Sequence, residues 1–176
     1  MSILFIMCGL PGTFKSSTAL RIVEDYKAHM QTAFIVSGDS LRTMIHGKYV
    51  FKEVDEFAVS LLAKACIASL SQVTDVIIYD EVNLTRESRS EIIDFAYSIG
   101  FTPVIHYCVS DGNHIARRCR DDKGYPPHHW ENVIRGMERI FEEPTEDEEC
   151  QLIKTVTSFS PVSTLSPLDM DTNLLG

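Results

Sequence analysis

Residues 9–17, which read GLPGTFKSS, constrain the fold of this chain more than any other segment. They follow an apolar run at residues 3–6, which is typical of a buried parallel strand. They lead into a segment whose apolar residues recur at helical spacing. A strand, a glycine-containing loop, Lys-Ser and a helix form the layout of a phosphate-binding loop, in which backbone N–H groups converge on anionic oxygens.

The polar residues of this loop have predicted roles in binding a nucleoside triphosphate. Lys15 supplies positive charge to the outer phosphates, and the Ser16 hydroxyl can ligate Mg²⁺. A nucleoside triphosphate with Mg²⁺ is therefore the expected ligand. The residues predicted to contact the nucleotide are Gly9, Pro11, Gly12, Thr13, Phe14, Lys15, Ser16 and Ser17.

Phe14 departs from the usual pattern of such loops, which have glycine immediately before the lysine. Glycine freely adopts positive φ, so a side chain at this position requires either a negative φ or a strained loop. A strand-to-helix turn that resembles the motif by chance is the alternative interpretation. The strand before the loop and the helix after it favour the phosphate-binding interpretation.

Length and composition indicate a globular protein. The 176 residues, 44% of them hydrophobic, predict one domain at residues 1–160 and a poorly packed tail at residues 161–176. No apolar run reaches the length that crosses a membrane, and five cysteines without paired spacing favour reduced thiols. We therefore predict a cytoplasmic protein without a membrane partner, and the sequence does not indicate an oligomeric state.

The net charge of −9 does not decide whether the chain binds a polyanion. Six of its 25 acidic residues lie at residues 142–149, a run that we predict to be a solvated loop. The rest of the chain is nearly neutral, so local clusters of charge must decide about a nucleic acid partner.

Apolar runs and helical periodicities alternate along the chain, which predicts an α/β fold. Further strands are predicted at residues 33–37, 76–79, 103–109 and 151–156, the last of them at an edge. The expected architecture is a parallel sheet of about five strands with helices on both faces and an arginine-bearing lid. Ligands of such sheets bind at the carboxyl ends of the strands, so the loop, Asp39 and Asp80 are expected to share one crevice.

Two apolar stripes at helical spacing are predicted to pack in the core. The first comprises Val54, Phe57, Ala58, Leu61, Leu62, Ala65 and Ala68. The second comprises Trp130, Val133, Ile134, Met137, Ile140 and Phe141. The second stripe is not predicted to bind a cofactor, because bulky apolar residues at this spacing most often face the interior.

Asp39 follows the second predicted strand, and Arg42 lies one helical turn further along. In a functional interpretation, Asp39 is the catalytic base that accepts the proton of an attacking hydroxyl, and Arg42 holds an anionic group of the substrate. In a structural interpretation, Asp39 caps a helix and Arg42 is its ion-pair partner. Their position beside the phosphate loop favours the functional interpretation.

Asp80 ends the third predicted strand, where P-loop enzymes place the acid that orients Mg²⁺. Ser16 and Asp80 therefore form the predicted metal site, although a simple turn residue is the alternative for Asp80. Asn83 lies close enough along the chain to contribute to substrate binding. Thr85 is well placed to cap the helix that follows.

A cluster of basic residues follows the fourth predicted strand, at Arg117, Arg118, Arg120 and Lys123. Phosphoryl transfer needs positive charge over the γ-phosphate, and an arginine-bearing lid supplies it. We predict Arg118 and Arg120 as the catalytic members. Acidic residues at 121 and 122 interrupt the cluster, so a solvated loop of mixed charge is the alternative.

These features occur in an order that resembles one family. Gly9-x-Pro11-Gly12-x-x-Lys15-Ser16, then Asp39-x-x-Arg42, then Asp80 with Asn83-Leu84-Thr85 and an arginine-bearing segment, is similar to the kinase domain of bacteriophage polynucleotide kinase and its P-loop relatives. The resemblance covers residues 3–143.

The resemblance implies that Mg-ATP is the phosphoryl donor and that a nucleic acid with a free 5′-hydroxyl is the acceptor. It also implies that Asp39 is the general base, that Arg42 contacts a substrate phosphate and that a lid arginine clamps the nucleotide. The residues alone predict a kinase, and only the resemblance names its acceptor. The alternatives are a small-molecule kinase, with a sugar acid, an antibiotic or a nucleotide-type acceptor, and a nucleotide-binding regulatory protein without transfer activity.

Overall fold

Five strands and six α-helices form the fold in the computed structural model, which describes residues 2–120 and 126–156. The strands are β1 (Ile3–Cys8), β2 (Ala33–Ser37), β3 (Val76–Asp80), β4 (Thr102–Val109) and β5 (Gln151–Val156). The helices are α1 (Lys15–Ala28), α2 (Gly38–His46), α3 (Glu56–Leu70), α4 (Arg86–Ser98), α5 (His114–Arg120) and α6 (Pro127–Ile140). A short 3-10 helix, Glu53–Asp55, precedes α3. The predicted tail at residues 161–176 lies outside the described residues.

All five strands belong to one sheet in the order β2-β3-β1-β4-β5, and every neighbouring pair is parallel. Their carboxyl ends therefore meet at one edge of the sheet, which is where ligands of such sheets bind. β5 lies at the outer edge beside β4, as the sequence predicts. The predicted fold class, a five-stranded parallel α/β sheet, is confirmed.

Helices cover both faces of the sheet. Leu4 and Ile6 of β1 belong to the apolar core that α3 and α4 cover, whereas Phe5 and Met7 belong to the core that α1 covers. Successive residues of a strand point to opposite faces, so a strand that is buried on both sides is apolar throughout. None of the helices within the described ranges is long and apolar enough to cross a membrane.

The predicted buried face of α3 is wrong. Phe57 and Leu61 are 80% and 59% exposed, and the buried residues are Val59, Ala63 and Ile67. Apolar residues surround most of this helix, so their periodicity does not select one face over another. The contacts of α3 with the sheet determine which face is buried.

The acidic run at residues 142–149 is not a fully solvated loop, which corrects a second prediction. Glu148 is 5% exposed, and its carboxylate accepts hydrogen bonds from Nε and Nη2 of Arg89 at 2.7 and 2.6 Å. Arg89 is fully buried and also donates to the carbonyl oxygens of Asn83 and Glu142. This pair ties α4 to the segment before β5, and the compensating charge allows both groups to be buried.

Candidate active site

A cavity of about 690 Å³ lies at the carboxyl edge of the sheet. Residues that follow β1, β2 and β3 line it together with residues of α5 and α6. The predicted site residues that line it are Pro11, Gly12, Phe14, Lys15, Ser16, Ser17, Asp39, Arg42, Asp80, Asn83 and Arg118. Gly9, Thr13 and Arg120 are not among the lining residues, and Arg120 is exposed. Lys123 of the basic cluster lies outside the described residues.

The loop between β1 and α1 packs closely against α5. Gly12 has a φ of +83°, and a Cβ at this position would overlap the backbone carbonyl of His114, so only glycine fits. The Gly12 carbonyl accepts a hydrogen bond from Nε of Arg117 at 2.8 Å. The loop is thereby fixed to the helix that carries the predicted lid arginines.

Lys15 begins α1 and is buried, with its Nζ donating to the Leu10 carbonyl at 2.9 Å. Burial lowers the pKa of Lys15, and the negative charge of Asp80 opposes that shift. Asp80 is 9% exposed at the end of β3, which lies beside β1 in the sheet. The structure therefore places the predicted phosphate-binding lysine and the predicted metal-binding carboxylate in one electrostatic environment.

The donor set that Ser16 and Asp80 provide suits Mg²⁺. This ion keeps several waters and is usually bound by one or two protein oxygens together with phosphate oxygens. One hydroxyl and one carboxylate beside a phosphate loop match that requirement. Among residues 2–120 and 126–156, no group of three or more His, Cys, Asp or Glu side chains is arranged to hold a metal by itself.

Phe14 has φ 65° and ψ 23°, which lie in the left-handed region. A side chain before the lysine required either a negative φ or a strained loop, and the structure shows the strained loop. The guanidinium of Arg117 lies 4.4 Å from the centre of the Phe14 ring. A cation–π contact stabilises by about 0.5–2 kcal/mol, which is comparable with the roughly 1 kcal/mol or more that a non-glycine residue in this region costs. Glycine would avoid the strain but could not make the contact.

Arg117 is a cavity residue that the sequence did not single out among the lid arginines. Its Nη1 donates to both carboxylate oxygens of Asp111 at 2.8 and 3.0 Å, while Nε is bound to Gly12. Its Nη2 is buried and has no hydrogen-bond partner among the described residues. Phe14 was the feature of the sequence from which this position of Arg117 could have been predicted, because an aromatic ring beside the lysine can stack against a guanidinium.

Trp130 is 4% exposed, as its place in the core stripe of α6 predicts, and it also lines the cavity. The Arg118 guanidinium lies 3.9 Å from the centre of a Trp130 ring, and the Tyr49 ring centroid is 6.3 Å from that of Trp130. Ile134 of the same stripe is fully buried as predicted, whereas Ile140 is 57% exposed. The first turn of α6 therefore contributes an aromatic wall to the site.

Arg42 is 6% exposed and contacts three carboxylates, which together with it we call the Arg42 cluster. Its Nε and Nη2 donate to Glu56 at 2.9 and 2.5 Å, and its Nη1 donates to Asp39 at 3.2 Å and to Glu81 at 3.0 Å. A Cβ at Gly38 would overlap the Glu81 carboxylate, which explains the glycine that begins α2. The ion pair of the structural interpretation is thus present, but Ser37 rather than Asp39 caps α2.

Burial affects the pKa values of the groups in the Arg42 cluster. It raises the pKa of Glu81, and the positive charge of Arg42 opposes that shift. Burial would lower the pKa of Arg42, but hydrogen bonds and charges from Glu56 and Glu81 outweigh it and raise the pKa overall. Arg42 is therefore held as a cation whose donors are directed at neighbouring carboxylates.

Asn83 connects the turn after β3 to the central strand. Its Nδ2 donates to the Met7 carbonyl at 2.7 Å, and its φ is +46°. Its own carbonyl accepts hydrogen bonds from Cys8 and Arg89. Thr85 caps α4 by accepting from the backbone N–H of Ser88, which confirms that prediction. The role of Asn83 in substrate binding stays a prediction.

A protein-family model described as an AAA domain matches residues 4–144. The chain belongs to this AAA domain family. A comparison with curated protein sequences finds no match.

Solved structures share the fold of this AAA domain protein. APS kinase CysC of Mycobacterium tuberculosis, in complex with AMPPNP and APS, has a TM-score of 0.67 at 17% identity, with 90% of each chain covered. A sugar kinase from Janibacter sp. HTCC2649 has a TM-score of 0.60 at 13% identity, with 89% of this chain and 86% of that chain covered. A chain of the Pnkp1/Rnl/Hen1 RNA repair complex has a TM-score of 0.60 at 16% identity, with 79% and 45% covered. The fold is therefore that of a P-loop kinase.

Proposed function

We propose that this AAA domain protein is a kinase that transfers the γ-phosphoryl group of Mg-ATP to a hydroxyl group. One observation carries the proposal: the phosphate loop with its buried Lys15, the carboxylate of Asp80 and the carboxylate of Asp39 line a single cavity. A site that only binds phosphates requires the phosphate loop and Lys15, but neither carboxylate. A carboxylate that can accept the proton of an attacking hydroxyl is what a transferase adds.

In the proposed reaction, Asp39 accepts the proton of the acceptor hydroxyl while the hydroxyl oxygen forms a bond to the γ-phosphorus. The bond between the γ-phosphorus and the β–γ bridging oxygen breaks, and ADP leaves with that oxygen. Lys15, Arg117 and Arg118 supply positive charge where the phosphate oxygens gain negative charge. Ser16 and Asp80 would hold Mg²⁺, which would supply further positive charge beside the phosphates.

The sequence resemblance supports a 5′-hydroxyl polynucleotide as one acceptor, through the combination of Asp39-x-x-Arg42 with Asp80 and Asn83. Lys48 and Lys52 are exposed next to the cavity-lining Tyr49 and Phe51, so their positive charges are accessible to a polyanion. Kinases that differ in their named substrates share this fold, so the fold does not select among acceptors. A small-molecule hydroxyl is therefore the second candidate, and the charges in the cavity favour it.

The test is transfer of labelled γ-phosphate from Mg-ATP to a 5′-hydroxyl oligonucleotide, beside a pool of small hydroxyl metabolites. Lys15→Ala is the inactive control, and Lys27→Ala is its matched control, because Lys27 is an exposed lysine of the same helix. We expect label on a hydroxyl compound with the wild-type and K27A proteins, and none with K15A. ATP binding without transfer to any acceptor would contradict the proposal and favour the regulatory alternative.

A further inference from the structure

The geometry points to an acceptor that is a small ring compound with hydroxyl and amino groups and without an anionic group. This inference rests on the proposed kinase function and specifies the chemistry of the molecule that would receive the phosphoryl group. It is carried by the charges, hydrogen bonds and rings on the side of the cavity that contains Asp39.

Charge is distributed unevenly across the cavity. Lys15, Arg117 and Arg118 come from the phosphate loop, α1 and α5. Apart from Asp80, the predicted metal ligand at the end of β3, the part formed by α2, α3, α4 and the turn after β3 contains four carboxylates, those of Asp39, Glu56, Glu81 and Glu91. Among the described residues, Arg42 is the single cation that these elements contribute to the lining. An anionic acceptor would meet net negative charge there, whereas an ammonium group would be attracted.

Arg42 does not offset this excess for an incoming ligand. A guanidinium has five N–H donors, and the four contacts of Arg42 go to Glu56, Asp39 and Glu81. One N–H, on Nη2, is left over, so a phosphate or carboxylate that bound Arg42 through two donors would require one of those contacts to break, which would leave a poorly solvated carboxylate without its partner. The cluster is therefore better suited to accept hydrogen bonds from a ligand than to donate them.

Glu56 is the carboxylate best placed to accept such hydrogen bonds. Its side chain is 31% exposed, and it lines the cavity although both oxygens also contact Arg42. Each carboxylate oxygen has more than one lone-pair site, so each can accept a second hydrogen bond. Hydroxyl and ammonium groups of a ligand are donors of the kind that this surface can bind.

Aromatic side chains complete this part of the cavity. Tyr49, Phe51 and Trp130 line it, and the Tyr49 and Trp130 rings are 6.3 Å apart with a tilt of 39°. Phe51 is 51% exposed and can contact the C–H surface of a ring compound, whereas the rings of Trp130 and Phe51 already lie beside the guanidinium groups of Arg118 and Arg42. An acceptor that combines a ring, hydroxyls and amines matches all three properties of the lining.

Binding can be measured without turnover, because Trp130 is the single tryptophan of the chain and lies in the cavity wall. Two matched series serve as probes: glucosamine, glucose and glucuronate, and 2-deoxystreptamine, myo-inositol and myo-inositol 1-phosphate. Each series keeps one type of ring while its charge changes from positive through neutral to negative. In both series we expect the amino compound to change Trp130 fluorescence with a Kd about tenfold lower than that of the anionic compound.

Glu56→Gln tests whether the negative charge is responsible, and Glu53→Gln is the matched control. Glu53 lies one turn earlier, is exposed and does not line the cavity. We expect E56Q to raise the Kd of the amino compounds about tenfold and to leave the neutral compounds within about threefold, whereas E53Q changes neither. A displacement titration followed by the same fluorescence change verifies that all probes bind at one site.

The proposal is overturned if the anionic member of both series binds as tightly as the amino member, or if no amino compound perturbs Trp130. Transfer of label to the oligonucleotide and not to any amino compound would overturn it as well, while leaving the kinase function intact. Failure of the kinase function is a separate result: the amino compounds bind, but no label from Mg-ATP reaches any acceptor.

Discussion

The cavity joins two regions that are built from opposite charges at the same edge of one sheet. After β1 and β4 come a glycine-containing loop, Lys15 and the arginines of α5, whereas β2 and β3 are followed by Asp39 and Glu81. Neighbouring strands are about 4.8 Å apart, and β3 lies between β2 and β1, so the ends of β2 and β1, which precede Asp39 and the phosphate loop, are about 10 Å apart. A separation of this size allows cations to hold phosphates while carboxylates remain available as acceptors of protons.

The two regions are held in place in different ways. The cationic region is fixed by Arg117, which donates a hydrogen bond to the Gly12 carbonyl and stacks on the Phe14 ring. The anionic region is fixed by one buried guanidinium, that of Arg42. We therefore expect changes in the first region to affect nucleotide binding, and changes in the second to affect proton transfer and folding stability.

The largest effect is expected for Asp39→Asn, which removes the proposed base but keeps the size of the side chain. We expect kcat to fall by a factor of about 10² to 10⁴, the usual contribution of general base catalysis. The affinity for ATP should stay within about twofold, because Asp39 belongs to the other region. Steady-state kinetics and equilibrium ATP binding measure the two quantities.

A matched variant makes the Asp39 experiment specific. Asp25→Asn changes an exposed aspartate of α1 that does not line the cavity, and it should leave kcat unchanged. A D39N protein that retained its kcat would contradict the proposal that the anionic region provides the base. A large loss of ATP affinity with normal turnover would contradict it as well, because it would place Asp39 in nucleotide binding.

Arg42→Leu is expected to have the next largest effect, on stability. The substitution leaves the poorly solvated carboxylate of Glu81 without a cation beside it and also removes the partner of the partly exposed Glu56, and the loss of one partner of a buried ion pair destabilises proteins by about 3–5 kcal/mol. Urea denaturation of the wild-type and R42L proteins gives the difference in the free energy of unfolding.

The double variant Arg42→Leu/Glu81→Gln tests the cause of that loss. Because the glutamine side chain carries no charge, we expect the double variant to recover about 1 kcal/mol or more relative to R42L alone. Independent, additive effects of the two substitutions would show that Arg42 and Glu81 are not energetically coupled. A loss below about 1 kcal/mol in R42L would mean that the cluster does not hold this region together.

The fold could be predicted from the sequence because its signals are local. Apolar runs of five to eight residues identify the strands, and the loop at residues 9–17 identifies the central one. The buried face of α3 could not be predicted, since apolar residues cover most of that helix and only its contacts with the sheet choose a side.

The candidate site could be predicted only in part, for the same physical reason. Asp39 and Arg42 are one helical turn apart, so their pairing is a local property. The contacts of Arg42 with Glu56 and Glu81 join residues 14 and 39 positions away, and that of Arg117 with Gly12 spans 105 positions. The fold brings these residues together, and their spacing in the sequence does not predict the contacts.

A smaller effect is expected from Glu81→Gln on the pH dependence of stability. Burial raises the pKa of Glu81 in the folded protein above its ordinary value of 4.5. The folded protein therefore holds this proton to a higher pH than the unfolded chain does. Stability from this group is fully present below about pH 4.5 and is lost as the pH rises through the raised pKa.

Glu81→Gln removes that titration. We expect the E81Q protein to lose less stability than the wild type between about pH 4.5 and neutral pH, with a difference on the order of 1 kcal/mol for each unit of pKa shift. Urea denaturation at a series of pH values measures it. Parallel pH profiles for the two proteins would show that Glu81 titrates as a solvated carboxylate, and the anionic region would then be less buried than the contacts of Arg42 indicate.

The smallest effect is expected for Phe14→Gly, in the cationic region. Glycine relieves the strain of a positive φ, which is worth about 1 kcal/mol, but it removes the contact with Arg117, which is worth about the same. We expect the free energy of unfolding to change by less than about 1 kcal/mol. The KM for ATP should rise a fewfold, because Arg117 loses the ring that positions its guanidinium over the loop.

Phe14→Leu separates the two contributions, since leucine keeps the strain and removes the aromatic face. F14L should therefore be less stable than F14G by about 1 kcal/mol, with a similar KM for ATP. If F14G were more stable than the wild type and bound ATP equally well, the contact with Arg117 would contribute nothing. The hydrogen bond from Arg117 to the Gly12 carbonyl would then be sufficient to hold the cationic region, and the aromatic residue at this position would have no role in binding phosphates.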